Sequence, residues 1–509
     1  MNEKSRTSNV LLNSITGVLT QGSKIILSFL VRIVFIRQLS QEYLGVSGLF
    51  SNILTILSLA ELGVGGAIGY SLYKPVAERD YRTIGALMAL YRKTYTVIGL
   101  VVGGIGLLLF PLLPMLIRDA GQVRDLNLIY ALYLINTVVS YFLCHKRSIF
   151  TADQRERFLS GSTFFFSCLQ AAVQCVILLM TSNFLLYLSV QIFCTIADNL
   201  YVSNRADRVY PFLKEHRKER LPKSQIREIV ENVKALMIYK VGSTALDGSD
   251  NIILSAFEGL AWVGRLANYT LIISSVNTLA TQFMTALTAS VGNFIAKESS
   301  GQHEDLLRKA SFYAFCIFGV SSGCLLCLSS PFVRLVFGDI YALDGNAVFV
   351  LVLNYYIYGM MNPIWTFRST MGLFVHGRYR PLVSAIINIV VSILLVRLIG
   401  PVGVLIGTTV TRVTTNLWYD PYIVYKYGLK TSPWSYYLLW LKYLAIAAAS
   451  AATSLWVCRC LLPAPDSILW LIVHGISCLF IFGAFLILSC GRTAEFRYLY
   501  HKVRYILCR

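Results

Sequence analysis

Apolar runs of membrane-spanning length follow one another along almost the whole chain, separated by short polar breaks. A helix needs roughly 20 mainly apolar residues to cross the hydrocarbon of a bilayer. On that criterion the pattern predicts about fourteen transmembrane segments. They are 10–36, 43–72, 84–117, 126–144, 159–180, 183–203, 235–257, 262–295, 309–332, 347–374, 380–398, 402–425, 434–458 and 467–490. Several exceed what the hydrocarbon requires and are expected to tilt or to carry an extra turn beyond it. A segment in lipid must satisfy its own backbone hydrogen bonds, so helices are expected rather than strands. The predicted fold class is an all-α integral membrane bundle.

The longest polar interruption, RADRVYPFLKEHRKERLPKSQIREIVENVK, separates six predicted spans from eight. This gives an expected organisation of 1–204 (helices 1–6), 205–234 (a basic linker), 235–426 (helices 7–12) and 427–509 (helices 13–14 and a basic tail). Within the linker Ile226, Ile229, Val230 and Val233 recur at helical spacing opposite charged positions. That stripe predicts a short amphipathic helix lying on the membrane surface. Phe496, Leu499, Val503 and Ile506 repeat the pattern in the tail.

Charge then orients the bundle. Lys and Arg concentrate on alternate breaks: Lys74, Arg79 and Arg82, then Lys146 to Arg157, the run Arg205 to Arg227, and the tail from Arg492. With both termini in the cytoplasm, about 29 basic residues fall on the cytoplasmic side and about six on the other, the asymmetry expected of that face. The net charge of +19 therefore calls for anionic lipid rather than nucleic acid. The chain is 56% hydrophobic with a mean hydropathy of +0.62. No cleavable signal peptide is expected, since the first apolar run is too long and Arg32 occupies the cleavage region. No nucleotide-binding P-loop is present. The twelve cysteines lie mostly inside spans; Cys324 and Cys327, a C-x-x-C on an apolar helix, read as packing residues rather than a redox or metal site.

Ionisable residues at membrane depth are costly and usually face protein or water. Lys24 and Arg412 sit centrally in their spans, whereas Arg32, Lys240, Arg265 and Arg368 lie nearer span ends, where snorkelling lowers the cost. The acids read at depth are Glu61, Asp247 and Asp250. Internal ion pairing could absorb half the cations. The surplus of positive charge suggests a hydrated cavity for an anion, and a guanidinium suits phosphate because it binds two oxygens at once. Asp250 lies in KVGSTALDGSDNIILSAFEG, where Gly242 and Gly248 loosen the helix. It is a candidate for binding H+ or Na+, with Asp247 and Glu61 as further candidates; a salt bridge to Lys24 or Arg412 is the alternative.

The stretch YLGVSGLFSNILTILSLAELGVGGAIGYSLYKPVAERD (43–80) resembles the oligosaccharide flippases of the polysaccharide-transporter family. These belong to the superfamily that also holds multidrug extruders and lipid II flippases. Further resemblance lies in SDNIILSAFEGLAWVGRLANY (249–269), FRSTMGLFVHGRYRPLVSAIINIVVSI (367–393) and GPVGVLIGTTVTRVTTNLWYDPYIVYK (400–426). The resemblance implies two six-helix lobes around a central V-shaped cavity, followed by two extra helices. It implies alternating-access movement of an undecaprenyl-pyrophosphate-linked oligosaccharide from the inner to the outer leaflet of a bacterial inner membrane, for surface polysaccharide biosynthesis. Contact with polysaccharide assembly proteins is a further expectation. Relatives carry cavity arginines in the first, second and eighth spans. Lys24, Arg32 and Arg265 are counterparts here, while the second span offers only Glu61. Arg368 and Arg412 complete the expected substrate-binding set.

Two other readings remain. A membrane glycosyltransferase or polymerase would need acid–base residues on a sizeable outer loop; the largest outer loop, about 332–346, offers only Asp339 and Asp344. A cation-coupled multidrug exporter would share the fold and differ in the charge of its cavity. No catalytic residue, cofactor or metal site is expected.

Overall fold

A computed structural model of the chain describes residues 3–499 except 62–63, 118–122, 154, 217–218, 220, 298–299, 374–375 and 378. Side chains of 3–19, 238–241, 245–247 and 285–302, among others, are also outside the described set. Every regular element among the described residues is a helix. The chain divides into two compact units, Met1–Gly264 and Arg265–Arg509.

The first unit contains α1 (Glu3–Gln38), α2 (Gln41–Leu57), a 3₁₀ turn (Ser58–Glu61), α3 (Val64–Glu78), α4 (Tyr81–Leu108), α5 (Leu113–Leu116) and α6 (Leu126–Leu143). It continues through a 3₁₀ turn (Cys144–Lys146) into α7 (Arg147–Ala152), α8 (Glu156–Thr181), α9 (Phe184–Val209), α10 (Phe212–Glu215) and α11 (Lys223–Glu258). Caps set several of these boundaries. The Asp80 carboxylate accepts from the Thr83 amide and starts α4, and Asn183 accepts from Leu185 and Leu186 and starts α9. Inside the unit α1 runs along α8, α8 packs on α9, α9 on α6, α6 on α4, and α11 on α2.

The second unit begins within α12 (Leu260–Lys297). It holds α13 (Ser300–Ala314), α14 (Val320–Phe337), α15 (Gly345–Met360), α16 (Asn362–Thr370), α17 (Arg380–Ile399), α18 (Val402–Thr411), α19 (Trp418–Ile423), α20 (Trp434–Cys460) and α21 (Ile468–Cys490). One π-turn joins α13 to α14. Two more, Arg412–Leu417 and Val424–Leu429, flank α19. The last two helices pack on each other and on α14.

Among the described residues, eight helical spans are long and apolar enough to cross a bilayer, and a ninth if the pair Leu126–Phe142 and Cys144–Ala152, bent by 44°, counts as one. Phe480, Met180 and Leu488, on two of these spans, are 75, 80 and 85% exposed, which suits acyl chains and not water. This is a multi-pass membrane protein. The fourteen segments read from the sequence do not all pass on length and apolarity. Two of the remaining predicted spans are interrupted by 3₁₀ or π-turns, at 58–61 and within 412–429.

The linker also differs from expectation. Residues 223–233 continue into the next helix as a single α11. Ile229 is buried, and Ile226 and Val233 pack beside it against Tyr210, Leu221 and Phe212, so three of the four stripe residues are covered by protein rather than lipid. Val230 alone is exposed. In the tail, Phe496 contacts the ring of Phe312, while Val503 and Ile506 lie outside the described residues.

Candidate functional site

Polar side chains recur at helical spacing along the inward faces of α6, α8 and α9. Asn136, Thr137 and Ser140 belong to α6, Thr163, Ser167 and Gln170 to α8, and Thr195, Asp198 and Asn199 to α9. With Ser58 and Glu61 from the turn after α2, and Arg147 from the start of α7, they line a cavity of about 520 Å³ inside the first unit. A polar interior of that size in an otherwise apolar bundle lies within the usual range for small-molecule sites.

Two charged features stand on its walls. On one side the Arg147 guanidinium pairs with the Asp198 carboxylate and donates from Nε to Asn199 Oδ1 at 3.3 Å. Ser162 donates to the other Asp198 oxygen. Lys24, half-buried on α1, lies within electrostatic reach of both Arg147 and Asp198. On the other side Glu61 accepts a hydrogen bond of 2.7 Å from the Tyr95 hydroxyl. Tyr141 donates to Ser58 at 2.8 Å and Tyr133 to Ser47 at 2.7 Å, fixing α6 against the second helix and its turn. Arg32 lies two turns further along α1, within electrostatic reach of Tyr133 and Tyr187.

The expected site residues of the second unit are placed differently. Arg368 is 5% exposed and committed to protein. It donates to Asp420 at 2.8 Å and to the His376 carbonyl at 2.6 Å, while Trp365 and Arg380 hold the same carboxylate. To act as a substrate cation it would have to give up Asp420 and the His376 carbonyl inside a dry core, which argues against the phosphate-binding role expected of it. Arg412 opens a π-turn, donates to the Asn354 carbonyl at 2.6 Å and lies 5.4 Å over the Tyr358 ring. The Arg265 Nε is buried with no hydrogen-bond partner among the described residues. Asp250 is half-buried on α11 in the first unit; the side chains of Asp247 and Lys240 lie outside the described residues.

Two carboxylates were missed by the sequence reading. Asp198 and Asp420 sit within predicted spans and pair with arginines, Asp198 half-buried and Asp420 fully buried, so the comparison of six cations with three acids understated the negative charge. Arg147, read as a loop residue, is in fact a cavity wall. The available signal was ADN within 183–203 and the helical recurrence of amides and hydroxyls in three neighbouring spans.

No family model and no curated sequence matches the chain. Solved structures do. A lipid II flippase, MurJ, in an inward closed conformation aligns over 95% of this chain and 100% of its own, with a TM-score of 0.64 and 15% identity. An inward-facing multidrug-resistance MATE transporter of the MOP superfamily aligns over 80% of this chain and 95% of its own, at TM-score 0.58 and 15% identity. A Vibrio cholerae MATE transporter aligns over 83% and 98%, at TM-score 0.56 and 14% identity. The fold is that of these solved transporters. At such identities the likeness concerns backbone architecture, and the chemistry of the cavity has to be argued from its own residues.

Proposed function

We propose that this chain is a flippase that moves a polyprenyl-pyrophosphate-linked oligosaccharide between membrane leaflets by alternating access, in the service of surface polysaccharide synthesis. The observation that carries this reading is the cavity in the first unit, whose wall carries the Arg147–Asp198 ion pair with Lys24 of α1 within electrostatic reach of both. A diphosphate entering there meets the Arg147 guanidinium beside Asp198, with the Lys24 ammonium near both and the Glu61 carboxylate also on the wall. Arg147 can turn a bidentate face to it while Lys24 acts as a point charge. The amides and hydroxyls of α6, α8 and α9 suit sugar hydroxyls, and the apolar exterior lets a polyprenyl tail stay in lipid. The alignment with the lipid II flippase extends over more of this chain than the MATE alignments do, which supports a lipid-linked cargo.

Arg32, Arg265 and Arg412 remain substrate-binding candidates. Glu61 and Asp250 are the candidates for coupling to H+ or Na+, together with Asp247. In this reading the basic end of the first unit faces the cytoplasm of a bacterial cell, both termini lie on that side, and assembly proteins are the expected neighbours.

Multidrug export is the second reading, favoured by Glu61, a carboxylate on the same cavity wall that suits a cationic drug. One experiment separates them. Cells dependent on this chain are given Lys24→Ala or Arg147→Lys, neither of which leaves Asp198 without a cation. The flippase reading expects loss of surface polysaccharide and accumulation of the lipid-linked precursor, with protein level unchanged. Normal polysaccharide from both variants, or cationic-dye efflux that depends on Glu61 and not on Lys24, overturns it.

A further inference from the structure

Four of the twelve cysteines meet at one place in the second unit. Cys324 and Cys327 come from α14, Cys458 from the last turn of α20 and Cys478 from the middle of α21. The Sγ atoms of Cys327, Cys458 and Cys478 all lie within 4.8 Å of one another. Cys324 of α14 packs against the same three cysteines. All three of the mutually close cysteines are buried, and Leu328, Leu455 and Leu462 surround them.

Packing alone accounts for a cysteine as a small apolar residue, and Cys168, Cys175, Cys194 and Cys316 fit that role at separate places. It does not account for three helices set so that their thiols converge at one place. The C-x-x-C of α14 gains its meaning from the two thiols supplied by helices far along the chain.

We propose that Cys327, Cys458 and Cys478, with Cys324 as a fourth donor, bind a thiophilic closed-shell cation, Zn2+ or Cu+, that staples α20 and α21 to α14. Soft thiolates select such ions. Metal–sulfur bonds of about 2.3 Å place the sulfurs about 4 Å apart. The observed group reaches that spacing with sulfur movements under about 1 Å, well within a side-chain torsion adjustment. Binding is an exchange without redox change: each thiol that becomes a thiolate releases one proton to water. Charge balance among the leucines sets the count. A divalent ion is neutralised by two thiolates, the other thiols staying protonated as neutral donors; a monovalent ion needs one thiolate. The ion reaches the site from the end where Cys458 lies two residues inside the helix terminus. There Leu462 of the following loop covers the cluster, and the loop is tied to α21 by a 3.0 Å hydrogen bond between His474 and the Pro463 carbonyl.

The test uses the full-length protein purified in detergent under reducing conditions, carrying Cys460→Ser to remove the exposed thiol at the same end. After chelation it is loaded with Zn2+, Cd2+ or Cu+ and passed through a desalting column. The site predicts about one ion retained per chain and release of two protons for each divalent ion but one for Cu+. It also predicts a thiolate-to-cadmium absorption band and a higher melting temperature. Cys478→Ser should abolish retention and the thermal shift, and Cys168→Ser should leave both unchanged. Cys458→Ala, at a helix end, serves as the second ligand variant should Cys478→Ser not fold. Retention well below one equivalent for all three ions, or unchanged stoichiometry in a folded ligand variant, overturns the proposal.

Discussion

Replacing Asp420 with alanine should destabilise the second unit far more than replacing either arginine that it holds. The carboxylate is fully buried and accepts from Arg368 at 2.8 Å and from the Trp365 indole at 2.9 Å, with Arg380 Nε 3.1 Å away. Both arginine side chains are under a tenth exposed. Removing the acid strands two guanidiniums in the core, and breaking a buried pair by deleting one partner costs about 3–5 kcal/mol. Removing Arg368 instead leaves Asp420 with Arg380 and Trp365, so that loss should be smaller, about 2 kcal/mol, in the range for a hydrogen bond to a charged group. For a unit of about this size, 1 kcal/mol corresponds to about 2–4 °C. Asp420→Ala should then lower the melting temperature by on the order of 10 °C and Arg368→Ala by about half as much. Thermal unfolding in detergent, followed by the loss of the monodisperse gel-filtration peak, measures both. The same variants are assayed for surface polysaccharide at a temperature where they remain folded. Should Arg368→Ala abolish export without changing stability, the burial argument fails and Arg368 returns to the substrate set.

Two further outcomes follow from the geometry. A Cβ at Gly45 would stand 2.0 Å from the Leu260 carbonyl oxygen, and one at Gly264 2.3 Å from the Gln41 oxygen, so α2 crosses the start of α12 at backbone contact. Gly45→Ala should cost at least 1–3 kcal/mol by overpacking, whereas Gly48→Ala, with its nearest side-chain atoms at 3.5 and 3.8 Å, should be neutral or mildly stabilising on melting. Asp80 caps α4 and is exposed; the hydrogen bonds from Thr83 hold its carboxyl below the ordinary aspartate value. Its stabilisation is therefore present above about pH 4 and lost as pH falls through the lowered value. Asp80→Ala should speed amide exchange in the first turn of α4 at neutral pH, by a local loss near the low end of about 0.5–2 kcal/mol, and make no difference once the carboxyl is protonated.

Much of the fold could be read directly from the chain, because the cost of leaving lipid or of placing a backbone in it is a sum over neighbouring residues. Hydropathy located the spans. It carries no information on where a helix is interrupted, as by the π-turn that opens at Arg412, or on which face of a helix meets protein. The stripe at 226–233 announced an amphipathic helix correctly, yet its cover turned out to be Tyr210, Leu221 and Phe212 rather than head groups.

The chain alone settled that this is a helical membrane protein with ionisable residues held in its interior, since those properties follow from composition and spacing within single segments. Folding settled which of those residues have partners. Arg147 meets Asp198 across 51 positions, and Arg368 meets Asp420 across 52. Three thiols on α14, α20 and α21 come within 4.8 Å. Such meetings depend on the rotation of each helix about its axis and on which helix lies beside it. Both are products of side-chain packing between distant segments, and local pattern carries no record of them.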